Sequence, residues 1–372
     1  MTKQYIDLSK KILSEGEYEW NARTQTGTLA LFGEKCDYDL REGFPLTTTK
    51  KVVWRLPVEE MLFFMRGDSD LGILLDKNIN IWNPNGYDFY LRRHGLDKEI
   101  QKHTPEWREG FKEYINSVKN NPTFREKEGT LGRIYGVQER DWRGPDGETV
   151  DQLKNFLDKF DIDSSSRSNI VSHYNPAEMH KMSLGPCHLL YQSRVVEDDN
   201  RLDMVMYQRS ADDLLGVPFN AVQYSFLTEM VAKEKGFKPG KFTHMFGNLH
   251  YYIGTYPRSE FLRDKNNLKE FQGMFKEATT PEDYLNLKDW YLNHAPRELA
   301  GTEGTDQIPF ALIQMSREHL KMPTLDFKVK DFNFWDAIKM NAKDLISINN
   351  YNPFDELTYE LDGKIIKPLM AA

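Results

Sequence analysis

The sequence predicts an α/β (α+β) chain in which long alternating segments form a large mixed sheet and helices flank it. Three observations carry this. Residues 3 to 16 place Tyr5, Ile6, Leu8, Ile12 and Leu13 on one face of a helix. HLLYQSRVV and LDMVMYQRS both alternate as strands, and EDDNR between them has turn chemistry. The stretch from Asn220 is an amphipathic helix that stops at Gly236.

The other elements follow in order. TGTLALFGEKCDYDL reads as strand, turn, strand around Gly33. VVWRLPVEEMLFFMRGD is an apolar helix with two adjacent carboxylates, Glu59 and Glu60, ending at Gly67. After Trp82 the composition turns highly charged with sparse apolar spacing, which predicts a helical, solvated insertion over about 83–129. GRIYGVQERDW returns to core-like sequence, and DIDSSSRSN is a polar loop around Arg167. FTHMFGNLHYY is strand-like with a glycine break, and residues 258–320 predict a second charged, helical insertion. DGKIIKPLMAA is a short apolar tail. No repeat or low-complexity tract interrupts the chain, so its 372 residues read as a single domain, 1–372, with two insertions.

Composition excludes several classes. Hydrophobic residues make up 39%, enough for a sizeable core, and the net charge of -8 argues against a nucleic-acid or membrane-surface binder. Two cysteines, Cys36 and Cys187, allow neither a disulfide framework nor a cysteine-rich metal site. The nine histidines show no close ligand spacing, so no metal is expected. No signal-like segment and no run of about 18 apolar residues occurs, which predicts a cytoplasmic protein.

Cys187 lies in GPCHLLYQSRVV, between a proline and a histidine. A hairpin centred near Asp199 would return Arg209, Ser210 and Asp212 to its neighbourhood. A thiolate needs nearby positive charge, which Arg209 offers. Guanidinium and hydroxyl together also suit a phosphate. Asn220 carries a donor beside an acceptor, which matches the N3–H and O4 edge of uracil and mismatches cytosine. Plainer readings stand beside these. A lone cysteine is usually a small buried apolar group. Asn220 would serve equally as a helix N-cap, and Arg209 as half of an ordinary ion pair.

At these residues the chain resembles the thymidylate synthase family. PCH at 186–188 and YQRSADDLLGVPFN at 207–220 carry the resemblance. RTQTGTLALFG, GFPLTTTKK, EEMLFFMRGD, the pair Ile81–Trp82, LGRIYGVQ, IVSHYNP, GNLHYY and KPLMAA extend it in family order. It covers roughly 3–82, 130–256 and the last fifty residues, leaving the insertions uncovered.

The resemblance implies a homodimer whose sheets pack back to back. It implies one-carbon transfer from 5,10-methylenetetrahydrofolate to C5 of dUMP. Cys187 would attack C6 of the base. Arg23, Arg209 and Ser210 would hold the phosphate, with Arg167 reaching the neighbouring subunit's phosphate. Gln208 would join them in binding substrate, Asn220 would read the uracil, and His250 and Tyr252 would contact the sugar. Glu60 would organise water and proton transfer, and Tyr135 would help remove the C5 proton. Asp212 would bind the pterin. Ile81, Trp82, Asn85, Leu184, Gly216, Phe219 and the tail at Met370 and Ala371 would line the folate site. His188 would shape the local network. Neither membrane nor nucleic acid is required.

Five departures from the family pattern stand out. Ala22 replaces an aspartate, Ser168 a second arginine, Asn85 and Glu139 each a tryptophan, and Ala372 a bulky aliphatic residue. Asn85 and Ala372 suggest a wetter folate site, in which water rather than hydride completes the reaction. Retained Trp82 and Leu184 argue for hydride. The expectation leans to a dUMP hydroxymethylase, an activity that would suit a virus with hydroxymethyluracil in its DNA. Thymidylate synthase is the alternative, followed by a dCMP hydroxymethylase or a non-catalytic nucleotide binder on the same scaffold.

Overall fold

A computed structural model describes residues 2–102 and 104–369. The described residues divide into two compact units: 2–57, 196–330 and 345–369 in the first, and 58–102, 104–195 and 331–344 in the second.

In chain order the first unit begins with α1 (Thr2–Glu15), β1 (Glu17–Asn21) and β2 (Thr26–Asp39). Helix α2 (Arg55–Arg66) starts at the end of the first segment of that unit and runs on into the second unit, which carries α3 (Leu71–Asp76), α4 (Asn83–Arg93), α5 (Pro105–Asn120), α6 (Pro122–Glu128) and α7 (Tyr135–Arg140). Two short strands follow, β3 (Trp142–Arg143) and β4 (Thr149–Val150), then α8 (Gln152–Ile162), β5 (Ile170–Ser172) and β6 (His188–Val196). A tight turn over Glu197–Asp199, with Asn200 left-handed at φ 48°, leads back into the first unit. There β7 (Arg201–Asp212), α9 (Gly216–Lys235) and β8 (Lys238–Thr255) precede α10 (Glu260–Arg263), α11 (Lys265–Glu277), α12 (Pro281–His294) and α13 (Ile308–Met315).

The sheet of the first unit is mixed. β1 pairs antiparallel with β2, and β2 antiparallel with β8. β7 and β8 are parallel and are joined through α9, as a parallel pair requires a crossover. In the second unit β5 and β6 are antiparallel, with Val171 opposite Tyr191.

Two glycines act differently from expectation. β2 runs unbroken through Gly33, which adopts φ 84° while Phe32 and Glu34 keep their partners Asn248 and Phe246. Glycine pays no Cβ penalty there, so the chain need not turn. β8 likewise continues through Gly247. A Cβ at that position would lie 2.8 Å from the Tyr207 hydroxyl oxygen and 2.9 Å from the Arg209 carbonyl oxygen. Gly247 therefore permits close packing and does not break the strand.

Both segments expected as insertions are helical, and the first is not merely solvated as expected. Tyr87, Phe89, Leu91, Trp107, Tyr114 and Val118 are buried in the first. In α5 the spacing of Trp107, Tyr114 and Val118 returns them to one face. Every residue of α13, in the second, is buried. Among the described residues no helix is long and apolar enough to cross a membrane.

Candidate active site

Cys187 stands at the entrance to β6, half-buried, and its backbone N–H donates to Tyr135 Oη at 2.7 Å. Tyr135 opens α7 and is buried. Burial raises its phenol well above the ordinary value, the nearby Cys187 adds to this, and the Cys187 and His188 amides oppose it. The group is therefore a neutral phenol at physiological pH. Its ring sits in an aromatic cluster, with Phe64 at 4.8 Å, Trp82 at 6.1 Å, and His173 and His188 each at 5.2 Å between centroids.

The paired carboxylates of α2 diverge. Glu60 Oε1 accepts from Trp82 Nε1 at 2.5 Å. Glu59 accepts from Lys77 Nζ at 2.5 Å and from the Ala342 amide at 2.8 Å. Glu59 thus ties three segments of the unit together, while Glu60 joins the aromatic cluster. Ile81, Asn85 and Leu184 are half-buried, and Asn85 lies in the first turn of α4. The segment before the cysteine is fastened by Arg92, whose guanidinium donates to the Met182 and Ser183 carbonyls, each at 2.9 Å. Arg167 is exposed in the 164–168 loop, and its carbonyl accepts from Gln192 Nε2 at 2.6 Å. Lys159 Nζ donates to Ser168 Oγ at 2.9 Å, so an ammonium stands beside the residue that replaces the second arginine.

The first unit holds the other candidates. Asn220 lies inside α9, past the N-cap Leu215, which removes the N-cap reading. Gly216, Val217 and Pro218 form the first turn of this helix. Asn220 Oδ1 accepts from Gln208 Nε2 at 3.0 Å, and its Nδ2 donates to Gln223 Oε1 at 3.1 Å. Gln208 Oε1 in turn accepts from His244 Nε2 at 2.7 Å. A glutamine oxygen only accepts, so His244 Nε2 carries the proton and sets the direction of the whole amide relay. Asn220 is thereby held in one orientation.

Gln208, Ser210 and Asp212 share one face of β7 by its two-residue period, and Arg209 alternates away from them and is exposed. Asp212 accepts from the Leu215 amide at 2.9 Å and from Gln307 Nε2 at 3.0 Å. Burial nevertheless raises its pKa. Buried Lys50, which donates to the Leu214 carbonyl, is lowered to about 8 by burial against the pull of Asp212 and Asp213. Gly216 and Phe219, at the start of α9, are half-buried. A Cβ on Gly216 would stand 3.7 Å from Asn220 Oδ1. His250 Nδ1 donates to Asn248 Oδ1 at 2.7 Å, and burial drops its pKa to about 4, which leaves a neutral imidazole. Tyr252 packs edge-on to it at 4.9 Å. Arg23 is exposed between β1 and β2.

Met370, Ala371 and Ala372 lie outside the described residues. Just before them, the Leu369 amide donates to the Gly304 carbonyl at 2.8 Å. Among the described residues no cluster of histidine, cysteine and carboxylate side chains could hold a metal ion. Sequence pattern gives no signal for Arg92, His244 or Gln307, because each acts through a partner distant in the chain.

The thymidylate synthase family model matches residues 3–362. A thymidylate synthase of Listeria innocua serovar 6a is 39% identical over 261 residues, covering 67% of this chain and 82% of that protein. A thymidylate synthase of Mycoplasma pneumoniae is 40% identical over 250 residues, covering 67% and 81%. One from Mycoplasma genitalium is 41% identical over 250 residues, with the same coverage. A match over nearly the whole length and relatives at this identity place the chain in the thymidylate synthase family of one-carbon transferases.

Proposed function

We propose that this protein is a thymidylate synthase, converting dUMP and 5,10-methylenetetrahydrofolate to dTMP and dihydrofolate. The observation that carries the reading is the half-buried Cys187, hydrogen-bonded through its amide to a buried phenol beside the Glu60–Trp82 pair. The relatives carry the thymidylate synthase name, which favours that alternative over the expected hydroxymethylase. The apolar rings of Phe64 and Trp82 around Tyr135 support a dry pocket, as hydride transfer needs.

In this reading Cys187 adds to C6 of dUMP, and C5 becomes nucleophilic and takes the folate one-carbon unit. Arg23, Arg209 and Ser210 hold the phosphate, and Gln208 supports them. Asn220 presents its fixed amide to the uracil edge. Glu60 relays protons towards O4 and the folate. Tyr135, kept neutral by burial, orders the proton path at C5. His250 and Tyr252 meet the ribose. Asp212 binds the pterin, and Ile81, Trp82, Asn85, Leu184, Gly216 and Phe219 cover it. The protein acts as a homodimer, with Arg167 of each protomer directed to the other's phosphate.

The test is product identity. Incubation with dUMP and methylenetetrahydrofolate is expected to give dTMP with dihydrofolate, and Cys187→Ser should lower kcat by on the order of a thousandfold or more. Tetrahydrofolate with 5-hydroxymethyl-dUMP would identify a hydroxymethylase instead. No turnover, or full activity in Cys187→Ser, would sink the reading.

A further inference from the structure

Helix α7 presents two side chains one turn apart, and both serve the same short stretch of backbone. Tyr135 takes the Cys187 amide at 2.7 Å. Four residues on, Glu139 Oε1 lies 2.8 Å from His173 Nε2, and both side chains are 1% exposed. His173 Nδ1 lies 3.0 Å from the His188 carbonyl oxygen. The backbone amide of His173 donates to the Leu189 carbonyl at 2.8 Å. Its ring stands edge-on to Tyr135. One helical turn therefore holds the N–H of residue 187 and, through His173, the C=O of residue 188.

Counting protons defines the pair. A carbonyl oxygen only accepts, so His173 Nδ1 carries a hydrogen. The Nε2–Oε1 contact then needs one further proton, on either atom. Whichever atom holds it, the pair has no net charge, which is what its depth demands. Glu139 Oε2 is buried without a hydrogen-bond partner among the described residues. Apolar side chains of similar size commonly replace such a buried pair without loss of stability. A role in stability alone therefore explains this one poorly.

We propose that Glu139 and His173 are a positioning pair for the nucleophile. By holding the His188 carbonyl they set the backbone from which Cys187 Sγ projects. This rests on the reading that Cys187 attacks dUMP. Neither residue touches the reacting atoms, and Glu139 stands where the family pattern has tryptophan.

The test compares full-length wild type with Glu139→Leu and Glu139→Gln. It reads single-turnover rate, dUMP KM, thermal midpoint and amide hydrogen exchange across residues 183–190. Glu139→Leu is expected to slow the single turnover about tenfold, with KM within about twofold, and to speed exchange at Cys187 and His188. Glu139→Gln donates its amide N–H to Nε2 while Nδ1 keeps its hydrogen, so it should stay within about threefold of wild type. A wild-type rate and wild-type exchange in Glu139→Leu would overturn the proposal, whatever its thermal midpoint. A glutamine variant as slow as the leucine variant would also overturn it. If Glu139→Leu does not fold, Glu139→Met is read by the same outcomes. If wild type itself turns over no dUMP, the functional reading fails, and exchange alone decides whether Glu139 and His173 hold the 187–188 backbone: faster exchange in the variant upholds that, and unchanged exchange rejects it.

Discussion

Two cysteines of one chain can differ in reactivity by their surroundings alone. Cys36 is buried in β2, and burial pushes its thiol up to about 12. Cys187 is half-buried at a strand entrance. Thiolate is the reactive form, so iodoacetamide at pH 8 is expected to alkylate Cys187 alone in the native protein. Peptide mapping by mass spectrometry reads the result, and labelling of Cys36 at an equal rate would contradict it. The carboxylates of α2 separate in the same way. Glu59→Gln weakens bonds to Lys77 and the Ala342 amide, so it should cost about 1–3 kcal/mol of stability with little change in kcat. Glu60→Gln should leave the urea midpoint nearly unchanged and lower kcat at least about tenfold. Interchanged effects would show that the two roles are assigned wrongly.

At the scale of elements, β8 carries its chemistry at one end. His250 sits there as a buried neutral imidazole, its pKa about 4 against an ordinary value of 6.5. The unfolded chain takes up a proton below pH 6.5 that the native imidazole refuses until about pH 4. The stability due to this group is thus fully present above the unfolded value. It is lost as pH falls through that window and levels off below the folded value. The full change is on the order of 3–4 kcal/mol. Wild type should therefore lose more stability than His250→Gln between pH 7.5 and 4.5. Urea unfolding at both pH values measures this, and parallel losses would count against it. α7 shows the same economy of placement, since a single turn brings Tyr135 and Glu139 to adjacent backbone groups.

For the whole molecule, the outer face of the first unit's sheet bears on assembly. Met245 is 42% exposed on β8, opposite Lys35 on β2 and level with Tyr207 on β7. In the proposed homodimer a second copy covers this half-exposed residue. Sedimentation equilibrium is expected to give a dimer, and Met245→Glu should shift it towards monomer and lower activity together. A wild-type monomer with full activity would refute the dimer.

The strands around the 197–200 turn, the helix ending at Gly236 and the motif residues were all legible in the sequence, because strand period, turn chemistry and family strings are local signals. The glycines were misread because Gly33 and Gly247 look alike in sequence whether they turn a chain or let backbone pack closely. The 83–129 segment looks solvated in sequence because charge on one helix face masks a sparse buried stripe on the other. By itself the sequence determined the chemistry available: one thiol at a strand entrance, a phosphate-suited pair and an amide suited to uracil. Only the tertiary structure decided which way the Asn220 amide points, which carboxylate of α2 meets the aromatic cluster, and that Glu139 reaches the Cys187 segment through His173. Each of these depends on hydrogen bonds between residues far apart in the chain, and direction and partner in such bonds leave no periodic trace in sequence.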